Sequence, residues 1–260
     1  MEKAVLVSDM GNGIVLMTLN RPEAANALSI KMLEQLRDAA ASCKFDRSVR
    51  CIVVTGAGEK AFCAGADLKE RAGMDMNRVR RTVSMIRETI NAVENLPQPV
   101  IAAVNGTAVG GGMELALACD IRIASDTAAF ALAETSLGII PGAGGTQRLP
   151  RLIGKGRAKE LIFTARKIDA NEARDMGVVE VVTPPESLLD KALEIAGRIV
   201  RNAPIAVAQA KFAIDKGYDA DLSTGLAIEQ HAYDVTIPTK DRSEGLQAFK
   251  DKRSPIFKGE

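Results

Sequence analysis

Tryptophan is absent from this 260-residue chain, and the other large rings amount to seven phenylalanines and two tyrosines. So few rings leave no series of stacking platforms of the kind that binds single-stranded nucleic acid. There is one histidine, His231. That excludes a zinc site built on two histidines, and any Ser/His or Cys/His nucleophile system would have to use it. It falls in a charged helical stretch, Ile228-Glu229-Gln230-His231, which suits a surface or interface role. The four cysteines, Cys43, Cys51, Cys63 and Cys119, form no CxxC pair, and each sits in an apolar stretch. They read as small buried thiols in a reducing compartment. Neither sign of charge is in excess: 34 Lys+Arg against 33 Asp+Glu leave +1. That argues against nucleic acid or an anionic membrane as the main partner. No run approaches the ~18 uncharged apolar residues of a membrane span. Met1 to Val7 lack the apolar stretch of a secretory signal and the Arg/Ser bias of a transit peptide, so a cytoplasmic location is expected.

What is present is a pattern of short apolar runs and amphipathic stretches. Val5-Leu6-Val7 and Ile14 to Leu19 flank Gly11-Asn12-Gly13 and read as a β-hairpin. Ser29 can cap a helix running to about Cys43. Cys51 to Val54 is a buried strand that ends at Gly56. Asn77 to Asn95 is a long helix, with Val79, Val83, Ile86, Ile90 and Val93 on one face. Val100 to Val104 is a strand running into Gly110-Gly111-Gly112, followed by a short helix over Glu114 to Cys119. Ile121 to Ala124 and Ala129 to Ala133 are the next strands. This alternation predicts an α/β core with parallel strands. From Ser187 onward the pattern is helical only, with Leu189, Ala192, Leu193, Ala196 and Val200 on one face and Val207, Ala210 and Ile214 on the next. A boundary falls near Asn202-Ala203-Pro204. The remaining helices are too few for a large core of their own, so they are expected to pack on the body or on a neighbouring subunit.

The phosphate-loop motifs fail. Gly142-Ala143-Gly144-Gly145-Thr146-Gln147 begins like a dinucleotide fingerprint, but Gln147 replaces the last glycine and Pro141 precedes it instead of a strand. Two other glycine-rich turns are more informative: Phe62-Cys63-Ala64-Gly65-Ala66-Asp67-Leu68 and Val109-Gly110-Gly111-Gly112-Met113-Glu114-Leu115. Three glycines at a helix start are costly unless backbone must approach something closely. A helix start also offers free N–H groups to a developing oxyanion. Glu114 lies in that first turn. The alternative is tight helix–strand packing, with Glu114 serving the helix dipole. Glu134 closes the Ala129 to Ala133 run, where α/β folds place catalytic groups. Desolvation there would suit it to general acid work, whereas a solvated strand-end charge would not be so tuned.

Taken together, the glycine turns, Gly110 to Ala116 and Ile139-Ile140-Pro141-Gly142-Ala143-Gly144-Gly145-Thr146-Gln147-Arg148-Leu149 closely resemble the crotonase superfamily, nearest its enoyl-CoA hydratases. The resemblance runs from Asn20-Arg21-Pro22 through Asn26-Ala27-Leu28 to Phe249-Lys250-Asp251-Lys252-Arg253. It implies an α/β fold: a crotonase-like spiral of ββα units over 1–202, holding the CoA and acyl site, then a C-terminal helical trimerisation region over 203–260. It implies a homo-trimer or a hexamer made as a dimer of trimers. It also implies hydration of a short-chain 2-enoyl-CoA thioester to 3-hydroxyacyl-CoA, in fatty acid or branched-chain amino acid breakdown. No metal or other cofactor is implied, since coenzyme A is part of the substrate. By the same resemblance, the N–H groups of Ala64 and Gly111 form the oxyanion hole, Glu114 is general base and Glu134 delivers a proton to Cα. Ala24, the backbone of Ala64, Gly65, Ala66, Asp67 and Leu68, and the tail residues Phe249 and Lys252 would contact CoA, the tail residues reaching that of a neighbour.

Other readings divide on particular residues. Enoyl-CoA isomerases of the superfamily manage with one carboxylate, so two glutamates favour a hydratase. A protease of the related spiral would need a nucleophile such as Ser136, but no His or Lys motif accompanies it. Cys63 to Arg71, Ala158 to Phe163 and Thr236 to Arg242 resemble the methylglutaconyl-CoA hydratases. A dicarboxylic acyl chain would need a cation, and Lys69 and Arg71 are the nearest to the oxyanion turn; the plainer reading leaves both in solvent. One protein of that class binds AU-rich RNA through a lysine-rich helix. Here Lys31, Arg37 and Lys44 are offset by Glu34 and Asp38, a thin comb for RNA.

Overall fold

A computed structural model of the chain describes residues 3–260. Met1 and Glu2, where the reading of the N-terminus begins, lie outside the described residues. The hairpin forms: β1 (Val5–Asp9) runs antiparallel to β2 (Ile14–Leu19). Its turn is left-handed at Gly11, Asn12 and Gly13, residue types that tolerate positive φ. Ser29 caps α1 (Ile30–Phe45) by accepting the Met32 N–H. Next come β3 (Cys51–Gly56), β4 (Ala61–Cys63), the one-turn α2 (Leu68–Arg71) and α3 (Met76–Glu94). The following unit is β5 (Val100–Val104), β6 (Thr107–Val109) and α4 (Gly111–Ala118). After it stand β7 (Ile121–Ser125), β8 (Ala129–Ala131), α5 (Gly145–Ile153) and α6 (Lys155–Thr164). The spiral finishes with β9 (Ile168–Asp169), α7 (Ala170–Met176), β10 (Val181–Thr183) and α8 (Leu188–Val200). The C-terminal helices are α9 (Pro204–Gly217), α10 (Leu222–Thr236) and α11 (Lys240–Lys250).

The strands divide into two sheets in a regular way. The first strand of each pair β3/β4, β5/β6 and β7/β8 joins a six-stranded sheet, ordered β1-β2-β3-β5-β7-β10. The second joins a four-stranded sheet, ordered β4-β6-β8-β9. Among the described residues only the β1/β2 and β8/β9 pairs are antiparallel. This is the α/β spiral of ββα units that the resemblance implies.

Alternation along the central strands explains their unbroken apolar runs. Cys51 and Val53 of β3, with Ile101 and Ala103 of β5, face Leu188, Ala192, Ala196 and Val200 of α8. Ile52 and Val54, with Val100, Ala102 and Val104, face the main core under α1, α3 and α4. The α8 face is therefore shifted from expectation: Leu188 is buried, whereas Leu189 is exposed. The four thiols are free and buried, and burial pushes those of Cys51, Cys63 and Cys119 up to about 12. None is poised to act as a nucleophile.

The last three helices lie differently. No described residue of α9 is buried, and α10 buries only Ala232. Ala210 and Ile214, expected on an inward face, are exposed in the single chain.

Candidate active site

A cleft of about 1140 Å³ opens between α3, the two glycine turns and the 137–151 segment. The spiral brings both turns to one wall because β4 and β6 are adjacent strands. Each of the three consecutive glycines has its own reason. Gly110 has φ +54°, and a Cβ there would lie 3.0 Å from Glu134 Oε1. A Cβ on Gly111 would meet Leu28 Cδ1 at 3.0 Å. One on Gly112 would collide with the Cys63 carbonyl oxygen, so α4 packs its backbone directly on β4. Gly65, with φ +84°, completes the contact: its Cβ position lies 3.1 Å from the Gly111 nitrogen.

Two amides in these turns lack an acceptor, and they are not both the expected ones. The Ala64 N–H donates to the Ala25 carbonyl at 3.0 Å, so it is not free to hold an oxyanion. That carbonyl is fixed by Asn26, a fully buried side chain donating to Ala57 O and Ala61 O at 3.0 and 2.8 Å. The neighbouring residues pair with Leu28: its N–H donates to Gly65 O at 2.8 Å, and Asp67 N–H donates to its carbonyl at 3.4 Å. Successive amides of an extended segment alternate sides, so the Ala66 N–H points away from Leu28. Among the described residues no acceptor reaches the amides of Ala66 or Gly111. The assignment to Ala64 is therefore corrected by two residues.

The glutamates are held unequally. Glu114, 2% exposed, projects from the first turn of α4. Its Oε1 accepts the Ala143 and Gly145 N–H groups at 2.7 and 2.8 Å, leaving Oε2 without a protein donor among the described residues. Burial raises its pKa, while the two amides and the charges of Arg148 and Arg87 pull it back. Glu134 does not end a strand; it opens a short 3₁₀ turn, Glu134–Leu137. Its Oε2 is buried with no partner. Burial pushes its carboxyl up to about 7, and the charge of Glu114 adds to the rise. Burial raises both carboxyls, but only Glu114 has amide donors and cations that favour its ionised form. Pairs whose environments drive their protonation states apart divide acid and base work. Two free amides beside such a pair suit chemistry next to a carbonyl, with an enolate oxygen on the amides.

The other expected contacts are dispersed. Ala64, Gly65, Ala66 and Leu68 line the cleft, but Asp67 does not. Its carboxylate caps α2 and pairs with Arg21 at 2.9 Å, a structural task. Ala24 lies in a 3₁₀ turn off the lining. Phe249 is 87% exposed and Lys252 follows α11; neither lines this chain's own cleft. His231 and Ser136 stand outside it too. Arg71 does line it, and no carboxylate pairs with it among the described residues. The residues that hold Glu114, namely the Ala143 and Gly145 amides and Arg148, carry no signal as single residues. The one available clue was the small-residue run around Gly144, left-handed at φ +109°.

Fold and site together suit an enzyme that works next to a carbonyl group, and comparison with known proteins gives the family. The sequence profile of the enoyl-CoA hydratase/isomerase family matches residues 9–260, so the chain belongs to that family, within the crotonase superfamily. It is 58% identical over 259 residues to YngF of Bacillus subtilis, provisionally named an enoyl-CoA hydratase/isomerase, with 100% of both chains covered. It is 50% identical over 258 residues to human mitochondrial methylglutaconyl-CoA hydratase, covering 98% of this chain and 76% of that one. Among solved structures, an enoyl-CoA hydratase from Bacillus anthracis superposes with a TM-score of 0.98 at 57% identity, covering 99% of this chain and 100% of that one.

Proposed function

We propose that the protein is an enoyl-CoA hydratase that adds water across the 2,3 double bond of a short-chain 2-enoyl-CoA, giving 3-hydroxyacyl-CoA. The observation that carries this reading is the unequal pair of glutamates beside two unpaired amides. The thioester oxygen sits on the amides of Ala66 and Gly111. Glu114, ionised, takes a proton from water through Oε2 as the oxygen adds to Cβ. Charge moves onto the thioester oxygen, where each fixed donor is worth about 3–4 kcal/mol. Glu134 then delivers its proton to Cα. No step asks for a metal or a redox cofactor. An isomerase needs one carboxylate to move a proton; a second, tuned the other way, fits addition of water.

A second reading, hydration of methylglutaconyl-CoA, draws on Arg71, a cation on the cleft wall with no carboxylate partner among the described residues. The 50% identity to the human enzyme of that name supports it as well. We place the protein in breakdown of fatty acids or branched-chain amino acids, in the cytoplasm; no helix among the described residues is long and apolar enough to cross a membrane. We also propose a homo-trimer or hexamer, in which α9 to α11 cover the apolar side chains of Phe212, Ile214, Leu226 and Tyr233. The test follows the conjugated thioester absorbance with crotonyl-, longer enoyl- and methylglutaconyl-CoA under identical conditions. Loss with crotonyl-CoA supports the first reading. Loss confined to methylglutaconyl-CoA supports the second, and Arg71→Ala should then raise its KM about tenfold, as a lost charge-assisted bond does.

A further inference from the structure

Arg148 stands behind the glutamates, outside any role assigned so far. Four of its five guanidinium N–H groups have partners. Nε and one terminal nitrogen grip both Glu94 oxygens at 2.6 Å, in the planar two-bond geometry that only arginine offers. That same terminal nitrogen reaches Asn91 Oδ1 at 2.9 Å. The other donates to the Ala143 carbonyl at 2.7 Å. The side chain is 14% exposed. It lies so closely over Gly144 that a Cβ there would collide with the guanidinium. The Ala143 carbonyl belongs to the peptide group between the two whose amides, at Ala143 and Gly145, hold Glu114. Arg87, also from α3, secures the preceding carbonyl, Gly142 O, at 3.1 Å.

We infer that Arg148 is a positioning residue: bridging Glu94 and Asn91 of α3 to the Ala143 carbonyl, it fixes the loop that aims Glu114. The inference rests on Glu114 being the base of the proposed hydratase. The charged groups facing Glu114 are Glu134 from the 3₁₀ turn, Arg87 from α3 and Arg148 from α5, with Glu94 behind Arg148. Arg148 opposes the rise that burial imposes on Glu114. Loss of its charge should therefore raise the pH at which the base becomes ionised, and loss of the Glu94 charge should lower it.

The experiment measures kcat, KM and the pH dependence of kcat/KM for hydration by the parent, Arg148→Lys, Arg148→Met and Glu94→Gln. It uses whichever of the three thioesters the parent turns over best, with sedimentation to confirm assembly. Arg148→Lys keeps charge but not the fork. It should lose kcat by about tenfold with KM nearly unchanged, since small misplacements of a reacting group are costly. Arg148→Met should lose at least as much and also move the acidic limb upward. Glu94→Gln should move that limb downward. If Arg148→Met does not assemble, Arg148→Lys and Glu94→Gln decide the matter. A folded Arg148→Met with parental kcat overturns the proposal. So do equal losses in all variants with the acidic limb fixed, which would make Arg148 a strut only. A parent inactive on all three thioesters removes the hydratase reading itself, a different failure from an active parent whose variants behave like it.

Discussion

At the scale of single residues, the two glutamates were visible because each is a carboxylate amid small or apolar neighbours, Gly110 to Leu115 and Ala129 to Ala133. Their division of labour was an expectation drawn from the resemblance and from desolvation of Glu134; the sequence does not show which oxygens find donors. Glu114→Gln and Glu134→Gln should each lower kcat by about 10²–10⁴-fold with little change in KM, the pattern of a lost acid or base. Steady-state hydration rates check this; a variant keeping more than about a tenth of parental kcat has no acid–base role. Glu134 carries a pH prediction as well. Its proton is required, so kcat/KM should fall as pH rises through about 7, and Glu134→Gln should lack that limb. The same carboxyl costs stability. Its pKa is raised on folding, so the folded state binds the extra proton between the ordinary carboxylate range and about 7, and stability is lost across that window as pH rises. Glu134→Gln should accordingly be more stable than the parent above pH 7, by up to about 3 kcal/mol, with the gap closing toward pH 4.5. Thermal melts at several pH values measure it; a gap that does not vary with pH contradicts the assignment.

Among the elements, long periodic segments were legible and short ones were not. Helix α3 runs Met76–Glu94 against an expected Asn77 to Asn95, because five apolar residues at helical spacing leave little choice. Strands β4, β6 and β9 have three, three and two residues, too few for a period, and they were missed. Together with β8, which was expected, they form the second sheet, so its existence was hidden although the first sheet was not. The oxyanion turn failed for a related reason. Choosing between Ala64 and Ala66 needs the partner of each amide, and Ala64's partner, Ala25, comes from a distant loop. At the first turn of α4, Gly111→Val should abolish turnover, because the added Cβ would lie 3.0 Å from Leu28 Cδ1 and its branches would crowd the amide. Gly217 would make a poor control, since an added Cβ there would lie 3.4 Å from the Gly225 Cα, where α9 meets α10. Gly156, exposed and with nothing within 4 Å of its Cβ position, is a proper one: Gly156→Val should leave activity at the parental level and change stability by no more than about a few tenths of a kcal/mol, since valine is no worse a helix former than glycine. Parental activity in a folded Gly111→Val protein would remove that turn from the acyl site.

For the whole molecule, the sequence already separated a mixed core from an all-helical tail, and the structure shows why the tail looked incomplete. Helices α9 and α10 pair with each other, and Ile214, Tyr218, Leu222, Leu246 and Phe249 of the tail are exposed. Apolar side chains exposed in this number suit the assembly proposed above. Truncation after Arg242 removes most of α11, with Phe249 and Lys252. It should shift sedimentation toward smaller species and raise KM for the CoA thioester; an unchanged sedimentation coefficient and unchanged KM would reduce the tail to a surface strap. Whatever the assembly, the central claim concerns one bond-forming event between water and Cβ. Crotonyl-CoA is incubated with the protein in ¹⁸O-labelled water and the product mass is read. The arrangement of Glu114, Glu134 and the two amides predicts 3-hydroxyacyl-CoA carrying one labelled oxygen, formed by the parent and lost in Glu114→Gln. Recovery of unlabelled thioester alone, whether unchanged or isomerised, would contradict it.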